Sequence, residues 1–122
     1  VTEVYLRGNE EIGDDGAKAL AEALAEALKV NATVERLILD GISIGDEGAK
    51  ALAEALKVNV TVKELCLNSC GIGDDGAAAL AEALRSNTSL TTLGLQGNGI
   101  GEQGKQLLRD AVAGREGCGL DL

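Results

Sequence analysis

The stretch Val34-Glu-Arg-Leu-Ile-Leu-Asp-Gly-Ile-Ser-Ile-Gly-Asp-Glu-Gly48 returns, changed but aligned, as Val62-Lys-Glu-Leu-Cys-Leu-Asn-Ser-Cys-Gly-Ile-Gly-Asp-Asp-Gly76. It returns again as Leu90-Thr-Thr-Leu-Gly-Leu-Gln-Gly-Asn-Gly-Ile-Gly-Glu-Gln-Gly104. Gly45, Gly73 and Gly101 mark a period of 28 residues. A fourth copy opens the chain at Val1-Thr-Glu-Val-Tyr-Leu-Arg-Gly-Asn9, with one extra residue before Ile12 and an extra Ala-Glu-Ala-Leu turn further on. Leu120-Asp-Leu122 repeats the Leu-x-Leu core of a fifth. Self-similarity at this period is the signature of a stacked repeat architecture.

Within a unit, Leu37-x-Leu39 alternates apolar and polar as a strand does, and Ala49, Leu52, Ala53 and Leu56 follow at the spacing of one helix face. Alanine is the best helix former and the smallest side chain after glycine, so this helix can approach the strand layer closely. Asp46 is expected to cap its helix. A lone strand–turn–helix unit cannot bury its apolar face. The units must therefore stack, with parallel strands on one side and helices on the other.

These residues resemble a known family. Val34-x-x-Leu37-x-Leu39-x-x-Ile42, Val62-x-x-Leu65-x-Leu67-x-x-Cys70 and Leu90-x-x-Leu93-x-Leu95-x-x-Asn98 match the leucine-rich repeat pattern. The 28-residue length and the Ala-Leu-Ala-Glu-Ala-Leu helix look like the ribonuclease-inhibitor-like class, as in NOD-like receptors and the Ran GTPase-activating protein. The resemblance implies an α/β leucine-rich repeat solenoid, a short right-handed horseshoe segment with concave strands and convex helices. It also implies that Asn9, Cys70 and Asn98 satisfy turn backbone, and that the turn at Ile42 uses another partner. One domain is expected over 1–122, in repeats of about 1–33, 34–61, 62–89 and 90–117 with a partial strand at 118–122.

Composition narrows function. The 122 residues hold 11 basic and 20 acidic side chains, a net charge of −9, and no His, Pro, Trp, Phe or Met. Without His there is no imidazole base and no triad, and no Ser or Cys has a base to activate it. Acidity argues against nucleic acid and anionic membrane, since phosphate recognition needs clustered Lys and Arg. No segment approaches the roughly 18 apolar residues of a membrane helix, and no signal sequence opens the chain. A start on Val1, without Met, suggests an excised piece. Cys66, Cys70 and Cys118, an odd number, are expected to be reduced thiols in the cytoplasm or a similar compartment.

Several motifs dissolve into the repeat. Gly99-Ile-Gly101-Glu-Gln-Gly104 reads as a dinucleotide loop, and Gly99-x-x-x-x-Gly104-Lys105 as a Walker A loop lacking only Ser/Thr, but Gly13/Gly16, Gly45/Gly48 and Gly73/Gly76 recur at the offsets of Gly101/Gly104, and Gly71 makes the loop again in the third unit. Asp14-Asp15, Asp46-Glu47 and Asp74-Asp75 suggest calcium, yet they fall at helix starts and fit no EF-hand. Asn31-Ala-Thr, Asn59-Val-Thr and Asn87-Thr-Ser are glycosylation sequons at one repeat position, where Asn suits a left-handed cap. No catalytic residue, cofactor or metal ligand is assigned.

The strand face remains, the surface such folds use for partners. Its variable positions give a candidate protein-binding set: Tyr5, Arg7, Arg36, Ile38, Asp40, Glu64, Cys66, Asn68 and Gln96. Tyr5 and Ile38 are expected as adjacent exposed apolar anchors. Neighbouring strands set Glu3 beside Arg36, Arg36 beside Glu64, Glu35 beside Lys63 and Arg7 beside Asp40, which partly neutralises the face. Five strands about 4.8 Å apart span about 20 Å, room for one interface of about 800 Å² per partner.

The sequence thus reads as a protein-interaction module without catalysis. Alternatives are a GTPase-activating or immune-sensor repeat region of a larger protein and a structural subunit of an assembly. Lys105, Gln106, Arg109 and Asp110 make the last helix a polar cap. Nothing comparable precedes Val1, so the N-terminal edge is a possible docking or self-association surface.

Overall fold

A computed structural model describes residues 3–5, 14–30, 33–59, 61–113 and 118–122. Strands and helices alternate: β1 Glu3–Tyr5, α1 Asp14–Val30, β2 Arg36–Ile38, α2 Gly45–Leu56, β3 Glu64–Cys66, α3 Asp74–Ser86, β4 Thr92–Gly94, α4 Glu102–Val112 and β5 Gly119–Asp121. The strands form one parallel sheet in the order β1-β2-β3-β4-β5. The register advances one repeat per strand, with Val4, Leu37, Leu65, Leu93 and Leu120 in a single row. Each helix packs on the next, α1 on α2, α2 on α3 and α3 on α4. This is the solenoid that the 28-residue period requires.

The core lies between the layers. Leu37, Leu39, Ile42, Leu52 and Leu56 of one unit, and their counterparts Leu65, Leu67, Cys70, Leu80 and Leu84, are all fully buried. Small aliphatic side chains suffice because each layer is sealed by the next copy of itself.

Polar stitching between repeats does what aromatic bulk does elsewhere. Asn59 and Asn87 are only 3% and 4% exposed. The Asn59 amide donates to the carbonyl of Leu28 at 2.8 Å, at the end of the preceding helix, and its Oδ1 accepts from the backbone of Thr61 and Val62. Asn87 repeats the pattern on Leu56, Ser89 and Leu90. The sequence reading of a left-handed cap is corrected here. Asn87 is extended, with φ −82° and ψ 131°, and works through its side chain, which bridges two units.

Asp46 corrects a second expectation. It leaves its own helix uncapped and instead accepts from the backbone N–H groups of Gly73 and Gly76, at 2.6 and 3.1 Å. These amides open α3. Asp74 takes Gly101 of α4 in the same way, at 2.7 Å. Gly76 must be glycine, because an added Cβ would lie 2.7 Å from Ile72 and 2.8 Å from the Asp46 carboxylate. The apparent phosphate loop is thereby explained: at Gly101 a carboxylate of the preceding repeat holds the amide that a phosphate would need.

The turn row behaves as the resemblance implies. Cys70, fully buried, donates its thiol to the Leu39 carbonyl at 3.1 Å. Asn98 donates to Leu67 and accepts from the backbone of Cys70 and Ile72. The turn at Ile42 closes on itself, Ile42 N–H on Leu39 and Ile44 N–H on Ile42. Asn9 lies outside the described residues.

Candidate functional site

On β2, β3 and β4 the residues on either side of the buried leucine belong to the outer face of the sheet. On β2 these are Arg36 and Ile38, and the face continues at Asp40. Arg36 is the hub. Its Nε donates to Glu64 at 2.7 Å and its Nη1 to Glu3 at 3.1 Å, which joins β1, β2 and β3. Lys63 and Glu35 pair at 3.8 Å beside it. Partly exposed pairs contribute about 0–1 kcal/mol each, so their chief effect is to neutralise charge. The partner expected for Asp40, Arg7, lies outside the described residues.

A row of side-chain acceptors runs along the next position. Asp40 accepts from the backbone N–H of Asn68 at 2.9 Å, and Asn68 from that of Gln96 at 2.7 Å. Gln96 then donates its side chain to Asp121 on β5 at 2.6 Å. Three of the proposed contact residues are therefore already engaged within the sheet. Their charges and polar edges remain partly open, Gln96 most of all.

Ile38 is not the exposed anchor that alternation suggested. It is 5% exposed. Alternation does place it on the outer face, but Arg36 and Asp40 flank it on its own strand and Tyr5 and Cys66 stand in register on either side. A position in the middle of a parallel sheet is closed in by the strands on both sides, so facing outward does not make Ile38 accessible. Tyr5 lies on β1 in register with Ile38, and its side chain is outside the described residues.

Cys66 is half-buried, with its thiol 3.6 Å from Glu64. Burial, then the negative charges of Glu64 and Asp40, push it up to about 11, although Arg36 pulls the other way. A thiol held so far in its neutral form is a poor nucleophile. All three cysteines are free. Among the described residues, no group of three or more Cys, Asp or Glu is placed to hold a metal, and no helix is long and apolar enough to cross a membrane.

The face therefore has two halves. Over β1–β3 it is charged and internally paired. Over β4 and β5 it is low and uncharged until Asp121: Thr91, Thr92, Gln96 and Gly119 are exposed, and Gly94, buried against the Asn68 side chain, adds no side chain of its own between Cys66 and Asp121. Asp121 was not among the residues the sequence singled out; only its place one repeat after Gln96's strand reveals it. The opposite surface carries Glu22, Glu26, Glu54 and Glu82, all exposed, and the hollow between α1 and α2 is lined by three of these acids.

Comparison with known proteins agrees with this architecture. A solved structure of leiomodin-1 actin-binding site 2 superposes with a TM-score of 0.82 at 25% identity, over 99% of this chain and 70% of that one. The Caenorhabditis elegans tropomodulin C-terminal domain superposes at 0.59 and 15% identity, over 93% and 83%, a likeness of fold. No curated protein matches the sequence significantly. The family model described as leucine-rich repeat matches residues 1–21, 30–53, 58–81 and 86–106, one segment for each of the four helical units. With the repeat, the parallel sheet and the side-chain rungs all in agreement, the chain belongs to the leucine-rich repeat family.

Proposed function

We propose that this chain is a protein-binding module that docks its partner on the strand face, and that actin is the partner to test first. The observation that carries the proposal is the superposition, over 99% of this chain, on a solved structure of an actin-binding site of leiomodin-1. The strand face supports it. Between repeats that face changes at Arg36, Asp40, Glu64, Cys66, Asn68 and Gln96, and Thr91 and Thr92 are exposed beside them. The module has no catalysis of its own and takes neither nucleic acid nor membrane. A net charge of −9 repels both, and the free thiols suit a reducing interior such as the cytoplasm.

Titration of labelled monomeric actin with the purified chain, read by fluorescence anisotropy, tests the reading. Saturable binding is expected, weakened at least about tenfold (about 1.4 kcal/mol) by Thr92→Arg, with the thermal midpoint unchanged. No binding at about 100 μM, a free energy near −5.5 kcal/mol, rules out actin. Binding that ignores both Thr92→Arg and Lys63→Glu rules out the strand face.

A further inference from the structure

Helix α1 matches α2 at an offset of 28 residues: Ala21, Ala25 and Leu28 are buried as Ala49, Ala53 and Leu56 are. The same offset pairs Leu24 and Ala27 with Leu52 and Ala55, then with Leu80 and Ala83, then with Leu108 and Ala111. In α2, α3 and α4 these two positions are buried, at 0% for all but Ala111 at 7%. The preceding helix seals them. In α1, Leu24 is only half-buried and Ala27 is exposed, as is Ala23 beside it. On the same flank β1 is the end strand of the sheet, so among the described residues one row of its backbone groups has no strand partner.

We propose that this flank, the Leu24/Ala27 face of α1 with the outer edge of β1, is a docking site for a further strand–helix unit of the same construction. The interface it would make is already present three times in the molecule. Its complement is therefore known: a helix presenting Ala-x-x-x-Ala-x-x-Leu, as Ala21, Ala25 and Leu28 do to α2, followed by a parallel strand. The far end of this chain does not supply that complement. Where α3 has Ala77 and Ala81, α4 has Lys105 and Arg109. A second copy stacked head to tail would press two cations onto Leu24 and Ala27, and a buried, unpaired charge is costly. The occupant is thus a unit with an uncharged face, and the stack does not run on indefinitely. This inference does not depend on the strand-face reading.

The test joins residues 34–61 directly ahead of Val1, which then follows that unit as Val62 does in the chain. The thermal midpoint is expected to rise by about 3 °C or more over the unextended protein, and the amides of 24–28 to gain protection from hydrogen exchange. Ala27→Glu should abolish the rise in the extended protein while leaving the unextended midpoint unchanged, since Ala27 is exposed there. No rise and no added protection overturn the proposal, as does an equal cost of Ala27→Glu in both proteins. Light scattering of the unextended chain completes it. A monomer supports the proposal, whereas a dimer dispersed by Ala27→Glu assigns the flank to a second copy instead and overturns it.

Discussion

Replacing Ile38 by alanine removes three buried carbons, and should cost about 2–4 kcal/mol in a urea titration. The loss appears in folding before it appears in binding. A second residue-scale outcome concerns the thiols. Burial pushes Cys70 up to about 11 from an ordinary 9.0, so the native state favours the protonated thiol. That contribution is complete below about pH 9 and is lost as pH rises toward 11. Urea midpoints should fall across this window, and fall less steeply in Cys70→Ala. At this scale the sequence told half. Period-2 alternation put Ile38 on the correct face, and register put Arg36 between Glu3 and Glu64. Whether a side chain is covered depends on how far its neighbours reach, and that is not written in its own strand.

Among the elements, the helix starts differ most from a reading of isolated segments. An acid at the first turn of α2 suggests a local cap, and nothing in a single unit says otherwise. The close stacking of units brings the Asp46 carboxylate nearer to the amides of α3 than to a free amide of its own helix. Asp46→Ala should cost about 1–2 kcal/mol, with exchange protection lost in the first turn of α3 and retained in α2. Asp46→Asn keeps an acceptor and should cost less. The helices, strands and their order were legible because each is short, strongly periodic and repeated. The contacts between units were not, because they pair residues 25 to 33 apart that no local pattern links.

At the scale of the whole molecule, stability is a sum over units and their interfaces. Removing residues 62–89 joins Val34–Thr61 to Leu90, and the rungs can re-form across the junction. Asp46 then faces Gly101 and Gly104 at its former spacing, and Asp40 faces Gln96. The shortened chain should fold cooperatively, with a denaturant slope reduced roughly in proportion to the residues removed. It should lose the Arg36–Glu64 pair without losing the sheet. Charge follows the same logic, since exposed glutamates on successive helices set the −9 on the surface away from the strands, where it serves solubility.

Asp46 reaches forward one repeat, and Asn98 reaches back one. No unit is therefore complete by itself, but each of these links joins a unit to its immediate neighbour in the chain. A gene duplication or loss of one period, with its breakpoints anywhere in the repeat, yields a protein in which each forward and backward link again finds a matching position. Such a chain can lengthen or shorten by recombination in a single step, with no compensating mutation, while the variable strand positions diverge freely in each copy.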